Sequence, residues 1–306
     1  MRATPTHAIG VDVGGTKILA GIVSVEGAVV RRHERATPHD SQDSVVRELE
    51  AAVAELVSEE VGAVGFGVPS PIDRRRGVVV ECVNLPLEDF ALAEHMSRRF
   101  RLPVGLDNDA NAAAIGEWRV GAGRGHDDLV MLTVGTGLGG GVIAGGKPFR
   151  GSNGGGVELG HVVIVHDGRP CQGACHGHGH LEPYVTGLAA TIAAREAFGP
   201  AADAHRLVRL ANEGDEIARV ILTEIGRYLG SGMGSFANIF EPELIVIGGG
   251  FGIAAWDYLV PPAEEVMRRE ALRPMRDEVR VVRAKLGTAA GLIGAAFVAF
   301  EALDGT

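Results

Sequence analysis

The chain has 306 residues with 46% hydrophobic content, 45 glycines and a formal net charge of −10. That length and composition fit a compact α/β protein with two domains or one large one, rich in tight turns. The acidic balance and the lack of a basic block argue against a nucleic-acid surface, and the apolar runs are too short to span a membrane. The N-terminus has no basic head before an apolar stretch, so no secretory signal is expected. Three cysteines, two of them close together among histidines, point to metal binding in a reducing compartment, the cytoplasm, rather than to a disulfide framework.

Ala8 to Val13 reads as an apolar strand that stops at Gly14-Gly15-Thr16-Lys17 and resumes from Ile18 to Val25; Glu26-Gly27 is a hairpin turn, and Val29 to Arg35 a third strand. Asp12 lies inside the first run, where a carboxylate is costly unless partnered. Gly14 and Gly15 let backbone N–H groups approach a phosphate, although the spacing is not that of a Walker loop and a strand follows. Ser41 to Glu60 carries apolar residues at Val45, Val46, Leu49, Val53, Leu56 and Val57, one face of a helix capped by Ser41. Val61 to Val68 is a buried strand. Arg74-Arg75-Arg76-Gly77 reads as a solvated hairpin tip, Asn84-Leu85-Pro86 as a loop, and Leu92 to Phe100 as a helix; Cys82 reads as a small core residue.

A short apolar run, Pro103 to Leu106, then meets a helix-forming stretch from Ala110 to Trp118, so Asp107, Asn108 and Asp109 stand at a strand-to-helix junction. An N-cap accounts for one such residue. Three in a row, with Asn111 following, exceed what a cap needs and mark a functional carboxylate.

Leu129 to Val134 is a strand interrupted by Gly135-Thr136-Gly137 and resumed through Ala144, the layout already met at Ala8. Two copies about 120 residues apart suggest two similar halves facing each other, with a phosphate ester contacted by both bends. Val157 to Val165 reads as an apolar strand containing Glu158 and His161. Next comes the densest ligand run of the chain, Cys171 to Glu182. Cys171, Cys175 and His180 have tetrahedral zinc spacing, with His161 available as fourth ligand and His176 and His178 as spare imidazoles. Helical spacing covers Leu188 to Phe198, Ala204 to Ala211 and Glu216 to Ile239, the last capped by Asp215. A strand, Glu243 to Ile247, runs into Gly248-Gly249-Gly250 and a helix through about Glu270, a nucleotide-contacting junction. Val279 to Arg283 is a last strand, and Gly287 to Leu303 a buried apolar helix.

The ordered set Asp12-Val-Gly-Gly-Thr-Lys17, Asn84-Leu-Pro86, Asn108-Asp-Ala-Asn-Ala112, Gly135-Thr-Gly-Leu-Gly-Gly-Gly141, Glu158-Leu-Gly-His161 and Gly248-Gly-Gly250 resembles the ROK sugar kinases and repressors. The resemblance implies an actin-like, ribonuclease-H-like α/β ATPase fold of two similar domains around a central cleft. Residues 1–108 would form the small domain, with helix 287–304 packing back onto it, and 109–286 the large one, with a metal-binding loop at 161–182. It also implies that Asp109 is the catalytic base, and that Asn84, Asn108, Glu158, His161 and Glu182 hold sugar hydroxyls. Gly14, Gly15, Thr16, Lys17, Thr136, Gly137 and Gly139 would hold phosphates, with Gly248, Gly249 and Gly250 by the nucleotide. A homodimer or dimer of dimers is the implied assembly.

One departure is plain. The family's cluster usually reads Cys-x-Cys-Gly-x-x-Gly-Cys-x-Glu; here Cys171 stands two residues further from Cys175, and His180 replaces the third cysteine, while Glu182 keeps register. The expected activity is ATP-dependent phosphorylation of a hexose, glucose foremost, with Mg²⁺ on the phosphates near Asp12 and a structural Zn²⁺ on His161, Cys171, Cys175 and His180. Fructose, N-acetylglucosamine and N-acetylmannosamine are alternative acceptors, and polyphosphate an alternative donor. A sugar-sensing repressor would need a DNA-binding domain before the first strand, where only seven residues precede Ala8.

Overall fold

The computed structural model describes residues 5–82, 84–173 and 175–304. Its elements, in chain order, are β1 (His7–Val13), β2 (Lys17–Ser24), β3 (Val29–Ala36), α1 (Gln42–Ala54), β4 (Val61–Val68), β5 (Ile72–Asp73), β6 (Val78–Glu81), β7 (Glu88–Phe90), α2 (Leu92–Phe100), β8 (Val104–Asn108) and α3 (Asp109–Val120). There follow β9 (Leu129–Val134), β10 (Leu138–Ala144), β11 (Lys147–Phe149), α4 (Glu182–Val185), α5 (Gly187–Phe198), α6 (Ala204–Asn212), α7 (Glu216–Phe240), β12 (Leu244–Gly248), α8 (Gly250–Ala254), α9 (Trp256–Glu270), α10 (Met275–Glu278), β13 (Arg280–Arg283) and α11 (Ala290–Asp304).

The chain divides into two compact units. The first comprises residues 1–125, 148–157 and 285–306 and is built on a five-stranded sheet ordered β3-β2-β1-β4-β8. β1 pairs antiparallel with β2 and parallel with β4, which pairs parallel with β8. Alternation along the strands sorts residues between the two faces. Ile9, Val11 and Val13 of β1 and Val64, Phe66 and Val68 of β4 form one core with Val45, Leu49 and Val53 of α1 and Leu92 and Met96 of α2. On α1, Ser41 caps as expected, in a reciprocal box with Ser44 whose two hydrogen bonds are each 3.2 Å, but the helix stops at Ala54, short of Glu60.

The opposite face carries a lane of glycines in register: Gly21 beside Gly10, Gly10 beside Gly65, Gly65 beside Gly105. α11 lies directly on that lane. A Cβ on Gly10, Gly65 or Gly105 would come within 2.1, 1.9 and 2.3 Å of the carbonyl oxygens of Leu292, Ala295 and Val298. The obstructing atoms are helix backbone, which cannot turn aside as a side chain can. Gly65→Ala is therefore expected to destabilise the unit by about 3 kcal/mol or more, the upper range for overpacking. Urea unfolding measures this, and a loss under about 1 kcal/mol would show that α11 shifts freely.

The expected boundary at 108 does not coincide with the edge of this unit. α3 stays with it because Gly116 and Gly294 let α3 and α11 meet backbone to backbone; a Cβ on Gly294 would lie 1.6 Å from the Ala112 oxygen.

The second unit, 126–147 and 158–284, repeats the plan with a sheet ordered β11-β10-β9-β12-β13. β9 pairs antiparallel with β10 and parallel with β12, and β12 parallel with β13. The 25-residue α7, capped by Asp215 accepting from the Ala218 N–H at 2.8 Å, packs along α9. Gly226 and Gly230 give the close approach, since a Cβ on either would lie 2.4 Å from the Leu259 or Ala263 oxygen. The stretch expected as one helix to Glu270 is broken into α8 and α9 at Ala255.

The strand expected over 157–165 is not formed. Val157 has φ +72°, a left-handed conformation costly for a β-branched residue, and residues 159–161 make one 3₁₀ turn instead. Only Val163 pairs in β fashion, with His180.

Candidate functional site

In the first unit the β8–α3 junction divides its three polar residues among separate tasks. Asp107 is fully buried and takes Arg74 Nη1 at 2.7 Å and Arg150 Nε at 2.6 Å. Asn108 is the N-cap, its Oδ1 accepting from the N–H groups of Ala110 at 2.9 Å and Asn111 at 3.2 Å. Asp109 opens the helix, one carboxylate oxygen held by the Ala110 N–H at 2.8 Å. Arg74, expected as part of a solvated tip, is thus an internal ion partner: the β5–β6 hairpin carries it against the junction, and the carboxylate there has no water to turn to.

Asp12 of β1 lies near Asp109. Burial pushes its carboxyl up to about 7, the Asp109 charge adding to this and Lys17 opposing it. Asp109 also acts on Cys82, whose thiol burial raises to about 11 against a lowering hydrogen bond from Ser70. The bend between β1 and β2 is held at both carbonyl ends: the Gly14 N–H donates to Lys17 O at 2.9 Å, Thr37 Oγ1 to Gly14 O at 2.8 Å, and the Thr37 N–H to Thr16 O at 3.1 Å. Gly15 stands between these ties, with Asn84 Cβ 3.9 Å from where a Gly15 Cβ would be. Lys17 is exposed and paired with Glu34 at 2.8 Å.

The raised Asp12 has a sign that can be tested. A carboxyl whose folded-state value lies above the ordinary 3.8 contributes stability below that value and loses it as pH climbs through about 7. In magnesium-free buffer, the wild-type protein is expected to lose stability relative to Asp12→Asn between about pH 4 and 7, by up to about 4 kcal/mol. Urea midpoints of both proteins across that window measure it, and a constant difference would show that Asp12 ionises there without cost.

In the second unit the β9–β10 bend is closed by the Gly135 N–H donating to Gly137 O at 2.9 Å, and the Gly187 N–H reaches Gly135 O at 2.8 Å. Glu182, at the start of α4, accepts the Leu138 N–H at 2.9 Å, so its carboxylate borders the bend that carries Thr136, Gly137 and Gly139. A side chain at Gly137 would displace that carboxylate, since a Cβ would lie 2.6 Å from Glu182 Oε1. Gly248 ends β12 opposite Thr133. Gly249, at φ +81°, lies against the Val134 backbone, which sets the turn into α8 at Gly250 beside the same bend.

The ligand atoms of His161, Cys171, Cys175 and His180 all lie within 4.8 Å of one another. Cys175 Sγ is 3.6 Å from His180 Nδ1, and the His161 and His180 rings meet edge-on at 5.3 Å. Which histidine joins the cysteines is decided by backbone. His180 is drawn in by its bridge to Val163, whereas His178 bridges Pro170 and is exposed, as is His176. Between them Gly179, at φ +69°, would drive a Cβ within 1.6 Å of Val165 O. The Glu158 carboxylate, 3.4 Å away, raises the His161 imidazole, against burial, and burial with Cys175 nearby raises the Cys171 thiol to about 11.

The donor set fits zinc. Bond lengths of about 2.0–2.3 Å imply tetrahedral ligand separations of about 3.3–3.8 Å, about 1 Å inside the observed spread. His161 Nδ1 is moreover buried with no hydrogen-bond partner, 3.4 Å from Glu158. Two thiolates would balance the metal's charge.

Reasoning along the chain missed Arg150, Glu301 and Glu117. Glu117, fully buried, accepts the N–H groups of Ala122 and Leu286, both at 2.7 Å, and ties α3 to the start of the last helical segment. A carboxylate at a buried helical position was the available signal for Glu117; nothing local marks Arg150. Among the described residues no helix is long and apolar enough to cross a membrane.

The ROK family model matches residues 8–302. A glucokinase of Streptomyces coelicolor is 35% identical, over 96% of this chain and 97% of its own. A ROK family glucokinase of Streptomyces griseus, solved with glucose and AMPPNP, is 36% identical with a TM-score of 0.82, over 96% of this chain and 99% of its own. The ROK hexokinase of Thermus thermophilus superposes with a TM-score of 0.86 at 34% identity, over 98% of this chain and all of its own. The two five-stranded sheets of like order are those of the actin-like ATPase fold shared by these kinases. With its motifs, its duplicated sheet plan and these relatives in agreement, the chain belongs to the ROK family.

Proposed function

We propose that this chain is an ATP-dependent hexose kinase of glucokinase type, converting glucose to glucose 6-phosphate. The observation that carries the reading is the Asn108–Asp109 junction beside Asp12, in a chain 35% identical over 96% of its length to a glucokinase. Phosphoryl transfer has a loose transition state, so the protein's work is to position reactants and neutralise charge. Asp109, its carboxylate oriented by the Ala110 N–H, accepts the hydrogen bond of the attacking hydroxyl and takes its proton late in transfer. Asn84, Asn108, Glu158, His161 and Glu182 supply the mixture of donors and acceptors that a polyhydroxyl ligand needs. The Gly14–Thr16 and Thr136–Gly139 bends, with Lys17, offer N–H groups and charge to phosphates, and Gly248–Gly250 lie by the nucleotide.

Mg²⁺ fits near Asp12, where two close carboxylates repel each other and a cation relieves the repulsion; when bound it supplies charge neutralisation of the phosphates. Zinc on His161, Cys171, Cys175 and His180 would cross-link the loop and fix the His161 tautomer. Thiolate ligation and an ATP donor both suit the reducing cytoplasm.

A coupled assay over glucose, fructose, N-acetylglucosamine and N-acetylmannosamine, each with ATP and with polyphosphate, tests the reading. Glucose with ATP is expected to give the highest kcat/KM. Turnover confined to another sugar or to polyphosphate would move the assignment within the family, and no turnover with any of them would refute it.

A further inference from the structure

We propose that Asp107, Arg74, Arg150 and Glu301 form a positioning cluster that holds the Asn108–Asp109 pair in place, with Arg150 at its centre. The inference rests on the kinase reading above. Every oxygen of the buried Asp107 carboxylate is occupied. Oδ1 accepts the Asn108 N–H at 3.0 Å and Asn111 Nδ2 at 3.2 Å; Oδ2 accepts Arg74 Nη1 at 2.7 Å and Arg150 Nε at 2.6 Å. Arg150 continues through Nη2 to Glu301 Oε2 at 2.7 Å, which Arg74 Nη2 approaches at 3.5 Å. Two carboxylates and two guanidinium groups leave the cluster formally neutral, the condition under which buried ions are tolerated.

The members come from places remote in the chain: the β8–α3 junction, the turn after β5, the segment after β11, and α11. The Arg74 segment and the Arg150 segment are also joined through backbone, the Arg74 N–H donating to Asn153 O at 3.1 Å. Gly154, at φ +101°, packs so closely that a Cβ would lie 2.8 Å from Arg74 Cγ. One carboxylate oxygen thus reads the position of these segments, and the other holds the backbone of Asn108 and the side chain of Asn111, one residue before and two after Asp109.

Stability alone does not call for such an arrangement, because apolar residues of similar volume often replace buried ion clusters at no cost in stability. What they lack is direction. Fixed hydrogen-bond vectors on both oxygens set the junction's rotation and depth, and displacing a reacting group by about 1 Å costs about 100-fold in rate.

The test is a kinetic split. Arg150→Met removes the hydrogen bonds that Arg150 makes to Asp107 and to Glu301 and leaves those of Arg74 in place. It is expected to lower kcat about 100-fold and raise the sugar KM severalfold, because Asn108 and Asp109 move together, while the ATP KM stays within about twofold. Arg150→Lys, which keeps charge but not the forked geometry, is expected to recover part of kcat. A folded Arg150→Met protein with kcat within about twofold of wild type would overturn the proposal, as would equal rises in both KM values, the mark of general damage.

Glu301→Gln keeps the shape of a partly exposed side chain and serves where Arg150→Met does not fold. A kcat about threefold lower with the ATP KM unchanged supports the proposal, and unchanged kcat overturns it. Failure of the unmodified protein to phosphorylate any hexose would instead refute the kinase reading, and this inference with it.

Discussion

The Asp109→Asn variant is expected to lose turnover by a factor of about 100 to 10,000, the range general-base catalysis contributes, while its sugar affinity stays within severalfold of wild type. The amide keeps the shape of the carboxylate, and its oxygen can still accept the Ala110 N–H, so the start of α3 is preserved. What it cannot do is accept the hydroxyl proton. A second consequence follows from the neighbouring charge. Asp109 helps hold the Asp12 carboxyl up at about 7, so neutralising Asp109 lets Asp12 move down toward its ordinary value. A coupled assay and calorimetric titration of the sugar separate rate from binding. Near-wild-type kcat would remove Asp109 as the base, and loss of sugar binding in step with kcat would make it a ligand only.

Removal of zinc is expected to have the next largest effect. Metal analysis of protein never exposed to chelator should find one zinc per chain, falling to near zero in Cys175→Ser. The loop from His161 to His180 includes Gly168, Gly173, Gly177 and Gly179, and ordering so many glycines is entropically costly. A metal crossing the loop at four points would offset that cost, so the stripped protein should melt at lower temperature. Catalytic efficiency toward the sugar should fall about tenfold or more, because His161 and, two residues past His180, Glu182 lose their support. His178→Ala is the control: its side chain is exposed outside the cluster, and zinc content should stay unchanged. Zinc near zero in fully active wild-type protein would sink the site. Zinc retained in Cys175→Ser would show that other ligands hold it.

Local signals were legible along the chain wherever neighbours in sequence decide the structure. The glycine bends of β1–β2 and β9–β10, the Ser41 and Asp215 caps, and a cap at the Asp107–Asp109 junction all rest on contacts within a few residues. The duplicated strand–glycine–strand pattern accordingly reappears as two sheets of like order. The grouping of His161, Cys171, Cys175 and His180 was readable for a related reason, since ligand spacing in one short segment constrains what a single ion can reach.

Contacts between distant segments left no such trace. Asp107 meets Arg74 and Arg150 across 33 and 43 residues, and Arg150 meets Glu301 across 151. An arginine beside two others, or one before a glycine run, looks solvated until the fold brings a buried carboxylate to it. Gly10, Gly21, Gly65 and Gly105 likewise look like ordinary strand glycines until four strands align them under α11. The failed strand at 157–165 belongs with these. Its apolar residues have strand character, but the left-handed turn at Val157 and the pairing of Val163 with His180 govern the backbone. The amino-acid sequence by itself determined most of the elements, their repetition and the residue types able to carry the chemistry, because propensity, capping and ligand spacing act over a few residues. Only the tertiary structure decided which charges are buried together and which backbones touch, because desolvation and close packing depend on neighbours that the chain supplies from far away.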